Sequence, residues 1–413
     1  MTETFYHTLP NGVQIVHRPL PSEVAYIGIM VGAGTRHEQP GENGIAHYIE
    51  HCVFKGTGHY TARQIINRIE GIGGEINANT TKEETTFYAA TLRGHWRATL
   101  HLIADMVLHP TFPKHETDKE LTVIYDEIES YNDSPSELIY DDFENLIFRG
   151  HPLAMPILGT KKTLRHIAKS PATPLAWMQT HYRPERMVLF VLGDIPPKQV
   201  VAFAEKELGD LPAISPDLTG TLPSGLGDNF GPAAVTYRRH THQAHVMIGA
   251  RAYAIGHPRQ LTMYLLNNIL GGGSLSSRLN LSLREQRGLV YTIESQYTPL
   301  SDTGYWSIYL ACEPQHKDEC IDLCMKELKH LRDTSLTTLQ FHRALQQLQG
   351  QMAISAENQE NNALSMGKQM LYYHRAPLWQ ETFHQISQIT PIMLQETAIG
   401  EYNDNNISIL QYD

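Results

Sequence analysis

The chain has 413 residues and a net charge of −11 with an isoelectric point near 6.0, a balance that argues against a general nucleic-acid binder. With 41% hydrophobic residues it can fill sizeable cores in two to three domains, and no window approaches the roughly 18 apolar residues of a membrane-spanning helix. Four cysteines and an N-terminus, Met1-Thr2-Glu3-Thr4-Phe5-Tyr6, without a basic or apolar leader region suggest a cytoplasmic protein, neither exported nor sent to an organelle.

In chain order, Leu9-Pro10-Asn11-Gly12 is a turn and Val13–Val16 alternates as a strand. Val24–Val31 is largely apolar, so a central strand is expected. A loop over 32–41 leads to apolar residues at helical spacing around His47-Tyr48-Ile49-Glu50-His51, with Gly56 as the stop. Thr61–Ile69 reads as a helix with Thr61 as N-cap, broken by Gly71-Ile72-Gly73-Gly74. Two strands, 75–80 and 85–92, precede helices over 96–108, 115–130 and 136–148. Short helical segments near 163–167 and 174–180, a strand over 187–192 and a helix over 197–208 complete this half.

Residues 209–233 are rich in Pro, Gly and Ser, which predicts a first domain over 1–210, a linker over 211–233 and a second domain over 234–413. The plan then repeats over about 80 residues. Ala244–Ala250 matches the strand at Tyr26–Val31, and a helix over 261–270 matches the helix at His47. Arg284–Tyr291 matches Ile69–Gly74, and 303–310 followed by a helix over 316–331 matches 85–92 and 96–108.

At about 100° per residue, His47 and His51 lie about 40° apart on one helix face, with Glu50 about 60° to the other side of His47. Two imidazoles one turn apart can share a metal ion, and a carboxylate beside them can reach its water. The bland alternative is a soluble helix on which two of 22 histidines fall together. The repeat weighs against it, because the matching positions of the second half are Tyr264, Asn267 and Asn268. A catalytic zinc takes three protein ligands. Glu120 and Glu127, two turns apart on the 115–130 helix, share a face, one for the metal and one behind it. Asp126 and Glu129 are expected to face solvent.

These segments resemble the M16 (pitrilysin or insulinase-like) zinc peptidases, most closely the short-subunit branch of the mitochondrial processing peptidases and their bacterial relatives. The resemblance rests on the His47-x-x-Glu50-His51 pattern and on Glu120-Leu121-Thr122-Val123-Ile124-Tyr125-Asp126-Glu127. His151-Pro152-Leu153, Ile157-Leu158-Gly159-Thr160 and Arg183-Pro184-Glu185 add to it. Leu121 stands where the family has Arg, and Ala154 where it has Gly. The resemblance implies an α+β fold of two structurally repeated domains, each a mainly antiparallel sheet with helices on one face, forming half of a clamshell chamber. It implies one Zn2+ per chain on His47, His51 and Glu127, with Glu120 supporting and Glu50 as general base. It also implies a substrate-binding edge strand at Asn77 and Ala78, and an accessory pair, Arg284 and Tyr291, facing the substrate carbonyl. The function implied is zinc-dependent endopeptidase activity on peptides, in a homodimer or with a related subunit, without nucleic-acid or membrane partners. A partner-dependent or non-catalytic subunit is the rival. Cys52, Cys320 and Cys324 read as core residues, and Arg238-Arg239-His240-Thr241-His242 as the polar face of a strand rather than a second metal patch.

Overall fold

The computed structural model describes residues 3–212, 231–239 and 241–413. The chain forms two compact units, and neither is contiguous. One comprises the described residues of Met1–Glu129, Met155–Pro223 and Ser355–Pro377; the other takes Ser130–Ala154, Ser224–Ile354 and Leu378–Asp413. Of the linker expected at 211–233, residues 213–230 lie outside the described residues.

The first unit is built on six strands: β1 (Phe5–Thr8), β2 (Gln14–Arg18), β3 (Val24–Val31), β4 (Glu75–Thr80), β5 (Thr85–Leu92) and β6 (Met187–Leu192). Their order is β1-β2-β6-β3-β5-β4, with only β2 and β6 parallel. Helices α1 (Ile45–Cys52) and α2 (Ala62–Glu70) connect β3 to β4. Thr61 caps α2 in a reciprocal pair with Gln64, as its sequence predicts. After β5 come α3 (Trp96–Leu108) and α4 (Lys114–Asn132), then α5 (Pro135–Ile147), which belongs to the second unit. Helices α6 (Lys161–Ile167) and α7 (Ala172–His181) lead into β6, and α8 (Pro197–Leu208) follows it.

In the second unit, β7 (Ala234–Tyr237), β8 (Ala244–Ala252), β9 (Val290–Pro299), β10 (Gly304–Cys312) and β11 (Ser408–Tyr412) run in the order β7-β11-β8-β10-β9. Only β7 and β11 are parallel. This repeats β2-β6-β3-β5-β4 strand for strand, so the internal repeat expected from spacing is present in the topology. Helix α9 (Gln260–Gly271) stands where α1 does, and a π-helical turn, Asn280–Glu285, takes the place of α2. Then come α10 (Lys317–Asp333), α11 (Thr338–Ala356), α12 (Gln359–Tyr373), α13 (Trp379–Ile386) and α14 (Pro391–Glu401). Strands β1, β7, β9 and β11 were not anticipated. Residues 238, 239 and 241–243, between β7 and β8, are not in a strand, and His240 lies outside the described residues.

Helix α12 packs on the sheet of the first unit, and α5 on that of the second. Each sheet is therefore covered on both faces, where helices on one face were expected. Along β6, Met187, Leu189 and Val191 enter the core below α1 and α3. Val188, Phe190 and Leu192 meet Ala363, Met366 and Met370 of α12. Burial on both faces is why this strand is an unbroken apolar run. In β10, Trp306, Ile308 and Leu310 face one core while Tyr305, Tyr309 and Ala311 meet Ile139 and Phe143 of α5. Glycine makes both contacts possible. A Cβ on Gly28 of β3 would lie 2.2 Å from Phe190 Cζ, and one on Gly249 of β8 would lie 3.0 Å from Phe143 Cζ. Cys52, Cys320 and Cys324 are buried and free, as expected. No helix among the described residues is long and apolar enough to cross a membrane.

Candidate metal centre

Helix α1 buries Ile45, Ala46, Tyr48, Ile49 and Cys52, which fixes its rotation and sends His47, Glu50 and His51 to the opposite side. Helix α4 brings Glu127 to them. One donor atom from each of His47, His51 and Glu127 lies within 4.8 Å of the others, and this is the one such group of His, Cys, Asp and Glu found among the described residues. His47 Nε2 is 3.7 Å and His51 Nε2 3.5 Å from Glu127 Oε2. Tetrahedral ligands at about 2.0–2.2 Å from a zinc ion lie roughly 3.3–3.6 Å apart, so the three donors fit one. Glu127 Oε2 is buried without a hydrogen bond among the described residues, an acceptor that an ion would satisfy.

The surroundings set the protonation of each ligand. Burial, and His51 beside it, push the His47 imidazole down to about 4 against the pull of Glu127, so it stays neutral. Burial also disfavours the charged form of His51, but Glu120 and Glu127 outweigh it and hold His51 up at about 9. His51 Nδ1 donates to Glu120 Oε1 at 2.9 Å, so Nε2 is the nitrogen that would give up its proton to a metal ion. The other Glu120 oxygen pairs with Lys55 Nζ at 2.6 Å. Burial would raise Glu120, yet His51 and Lys55 hold it below the usual carboxylate range. His51 likewise holds Glu127 low. Burial lifts Glu50 above that range, opposed by Thr80 and His51 and reinforced by Glu127.

Thr80 is the last residue of β4, which pairs only with β5 and so has an open edge among the described strands. Asn77 is exposed on β4, and Ala78 is half-buried against the core. Asp126 and Glu129 are exposed as expected, and Leu121 packs partly against the core. Arg284 and Tyr291 belong to the other unit, at the end of the π-helical turn and the start of β9. Both are exposed, Tyr291 to 66%, and neither side chain has a hydrogen-bond partner among the described residues. In the second unit Asn267 Nδ2 donates to the Ser295 carbonyl at 3.0 Å and Ser295 Oγ to Asn267 Oδ1 at 2.5 Å, a closed pair where the first unit has Glu50. The 238–242 stretch forms no metal group among the described residues.

Sequence reasoning missed Lys55, whose signal is its place one turn beyond His51. It also missed Glu38, a buried acid in a loop with no periodic pattern to reveal it.

Comparison with known proteins agrees with this geometry. The family model for insulinase (peptidase family M16) matches residues 14–161, and that for the peptidase M16 inactive domain matches 175–348. The second match covers the half in which Tyr264, Asn267 and Asn268 replace the metal pattern. The uncharacterized zinc protease YmxG of Bacillus subtilis is 32% identical over 385 residues, covering 93% of this chain and 92% of the relative. An uncharacterized zinc protease of Streptomyces coelicolor is 31% identical over 388 residues, covering 93% and 84%. A Helicobacter pylori protease structure superposes with a TM-score of 0.88 at 19% identity, over 100% of both chains. A Pseudomonas fluorescens peptidase M16 inactive domain gives 0.87 at 18%, over 99% of this chain and 97% of the other. The two structures bear on the fold alone. Family models over most of the chain and zinc-protease relatives over nearly all of it show that this chain belongs to the M16 family of insulinase-like metallopeptidases.

Proposed function

We propose that the chain is a zinc-dependent endopeptidase acting on peptides or unfolded segments, with one zinc ion held by His47, His51 and Glu127. The observation that carries this reading is a three-donor cluster with Glu50 on the same helix, beside an open sheet edge. Zinc, when bound, supplies Lewis acidity toward a peptide carbonyl and brings the pKa of a water toward 7. Glu50 then takes the proton of the attacking water and returns one to the leaving amine. Glu120 fixes the His51 ring, and Lys55 balances its charge. A substrate strand adds to β4 through main-chain hydrogen bonds, Ala78 permitting close approach and Asn77 pairing with an amide, so extended backbone is selected over sequence.

The side chains of Arg284 and Tyr291, exposed and without a hydrogen bond among the described residues, are suited to hydrogen-bond a substrate carbonyl as it becomes an oxyanion. The reading extends to a homodimer in which each chain offers this pair to the zinc centre of its partner. A related second chain is the alternative.

The test uses the purified protein, a quenched-fluorescent peptide, a chelator and Glu50→Gln. Turnover that chelation and Glu50→Gln each abolish is expected, whereas stoichiometric zinc without turnover on any peptide refutes the reading. A sedimenting monomer with full activity removes the dimer. Mixed dimers of Arg284→Ala and Glu50→Gln chains should retain about one working site.

A further inference from the structure

Helix α1 has only eight residues, and the N–H groups of its first turn have no acceptor within the helix, so they need partners from outside it, as Ile45 N finds in the Glu42 carbonyl at 2.9 Å. Its N-cap, Gly44, has no side chain to satisfy them. The position demands glycine, with φ of 91°, and a Cβ there would meet Gly159 Cα at 2.8 Å. The Ser, Thr or Asp that normally caps a helix, as Thr61 caps α2, is therefore excluded.

The cap comes from six residues upstream. Glu38 is 1% exposed; its Oε2 accepts from Gly44 N at 2.9 Å and its Oε1 from Ala46 N at 3.1 Å. Asn43 Nδ2 adds a bond to Oε2 at 3.3 Å. The segment carrying Glu38 also grips the turn between β4 and β5. Thr35 N donates to the Thr81 carbonyl at 3.2 Å and Arg36 N to the Lys82 carbonyl at 2.7 Å. Arg36 Nη1 pairs with Glu83 Oε1 at 2.6 Å, both side chains buried. Residues 34–38 thus touch the start of the metal-bearing helix on one side and the root of the open edge strand on the other.

We infer that Glu38 is a positioning residue for the metal centre: its carboxylate seats the start of α1, and with it His47, Glu50 and His51, at a fixed distance from β4. This rests on the proposed function insofar as α1 is taken to carry the zinc ligands. Burial pushes the Glu38 carboxyl up to about 7, against the pull of Ala46, Gly44, Asn43 and Lys82. Keeping a charge there above neutral pH works against folding stability, so a residue retained for stability alone would be uncharged.

Glu38→Gln keeps the shape but offers one acceptor oxygen to two N–H groups. In the full-length protein at pH 8, zinc affinity measured by competition with a chromogenic chelator should fall about tenfold. With a quenched peptide, kcat should fall while KM holds, and the melting temperature of the zinc-free protein should be unchanged or raised. Thr61→Ala, a cap lost elsewhere, should lower melting and leave zinc affinity alone. Affinity for Glu38→Gln within twofold of the unmodified chain overturns the inference. Should that variant not fold, amide hydrogen exchange on the unmodified protein decides: protection of Gly44 and Ala46 comparable to α3 supports the clamp, and exchange at open-loop rates overturns it. Absence of peptidase activity in the unmodified chain would sink the proposed function and leave the zinc and exchange measurements to judge Glu38.

Discussion

Removing the Glu120 carboxylate tests how far the metal centre depends on the residue behind it. Glu120 joins His51 Nδ1 at 2.9 Å and Lys55 Nζ at 2.6 Å, with only 12% of its side chain exposed. Hydrogen bonds to a charged group at such a site contribute about 1.5–3 kcal/mol. Part of that is the orientation of His51, which keeps Nε2 pointed at Glu127. Supporting carboxylates of this kind change metal affinity by about 10–100-fold, or about 1.4–2.7 kcal/mol. Glu120→Gln retains an acceptor for Nδ1 and loses only the charge, so about tenfold weaker zinc binding is expected. Glu120→Ala also frees the imidazole and strands Lys55, and about a hundredfold is expected. Chelator competition at pH 8 reads both, with circular dichroism confirming that the fold survives. Unchanged zinc affinity in a well-folded Glu120→Ala protein would refute the reasoning, because His51 would then be held by something other than Glu120.

Burial, and the charges of Arg186 and Arg183, push His181 down to about 4. The folded chain thus refuses a proton that the unfolded chain accepts below about 6.5, and relative to His181→Gln the unmodified protein should lose roughly 1.4 kcal/mol per pH unit from 6.5 toward 4. Glu38 and Glu401, both held up at about 7, run the opposite way and cancel in this comparison; urea midpoints that stay parallel across the window would contradict it. Gly28→Ala drives a methyl into Phe190 and to 2.7 Å from Tyr88 Cβ, and should destabilise by about 1–3 kcal/mol, a penalty that a Phe190→Ala background should relieve only in part because the Tyr88 contact remains. An additive pair in thermal melts would show that Phe190 does not set that limit. Peptides N-methylated at alternate backbone positions should lose cleavage while side-chain changes are tolerated, and the reverse pattern would exclude main-chain addition to β4.

The metal cluster was legible because helical periodicity aligns His47, Glu50 and His51 and brings Glu120 and Glu127 onto one face of α4, and the resemblance to the M16 family then chose Glu127 as the third ligand. The repeat was legible in spacing, and the identical strand orders bear it out. The partnership of α5 and α12 was not. An apolar stripe says that a helix must be covered, not by which sheet, so cutting the chain at its Pro-rich stretch looked natural. Glu38 was hidden for a related reason: a loop residue that caps a helix six positions on has no period to betray it. Strand β9 escaped because its exposed Tyr291, Thr292 and Gln296 dilute the apolar alternation of an edge.

The traded helices also constrain how the chain is made. When synthesis reaches residue 208, all six strands of the first sheet exist, yet Val16, Met30, Val188, Phe190 and Leu192 have nothing to cover them. Their lid, residues 359–373, emerges some 150 residues later. At about 5–20 residues per second the nascent first half spends on the order of ten seconds with a sticky face bare, long enough to need shelter from aggregation. Neither unit is finished until both halves of the chain have been made.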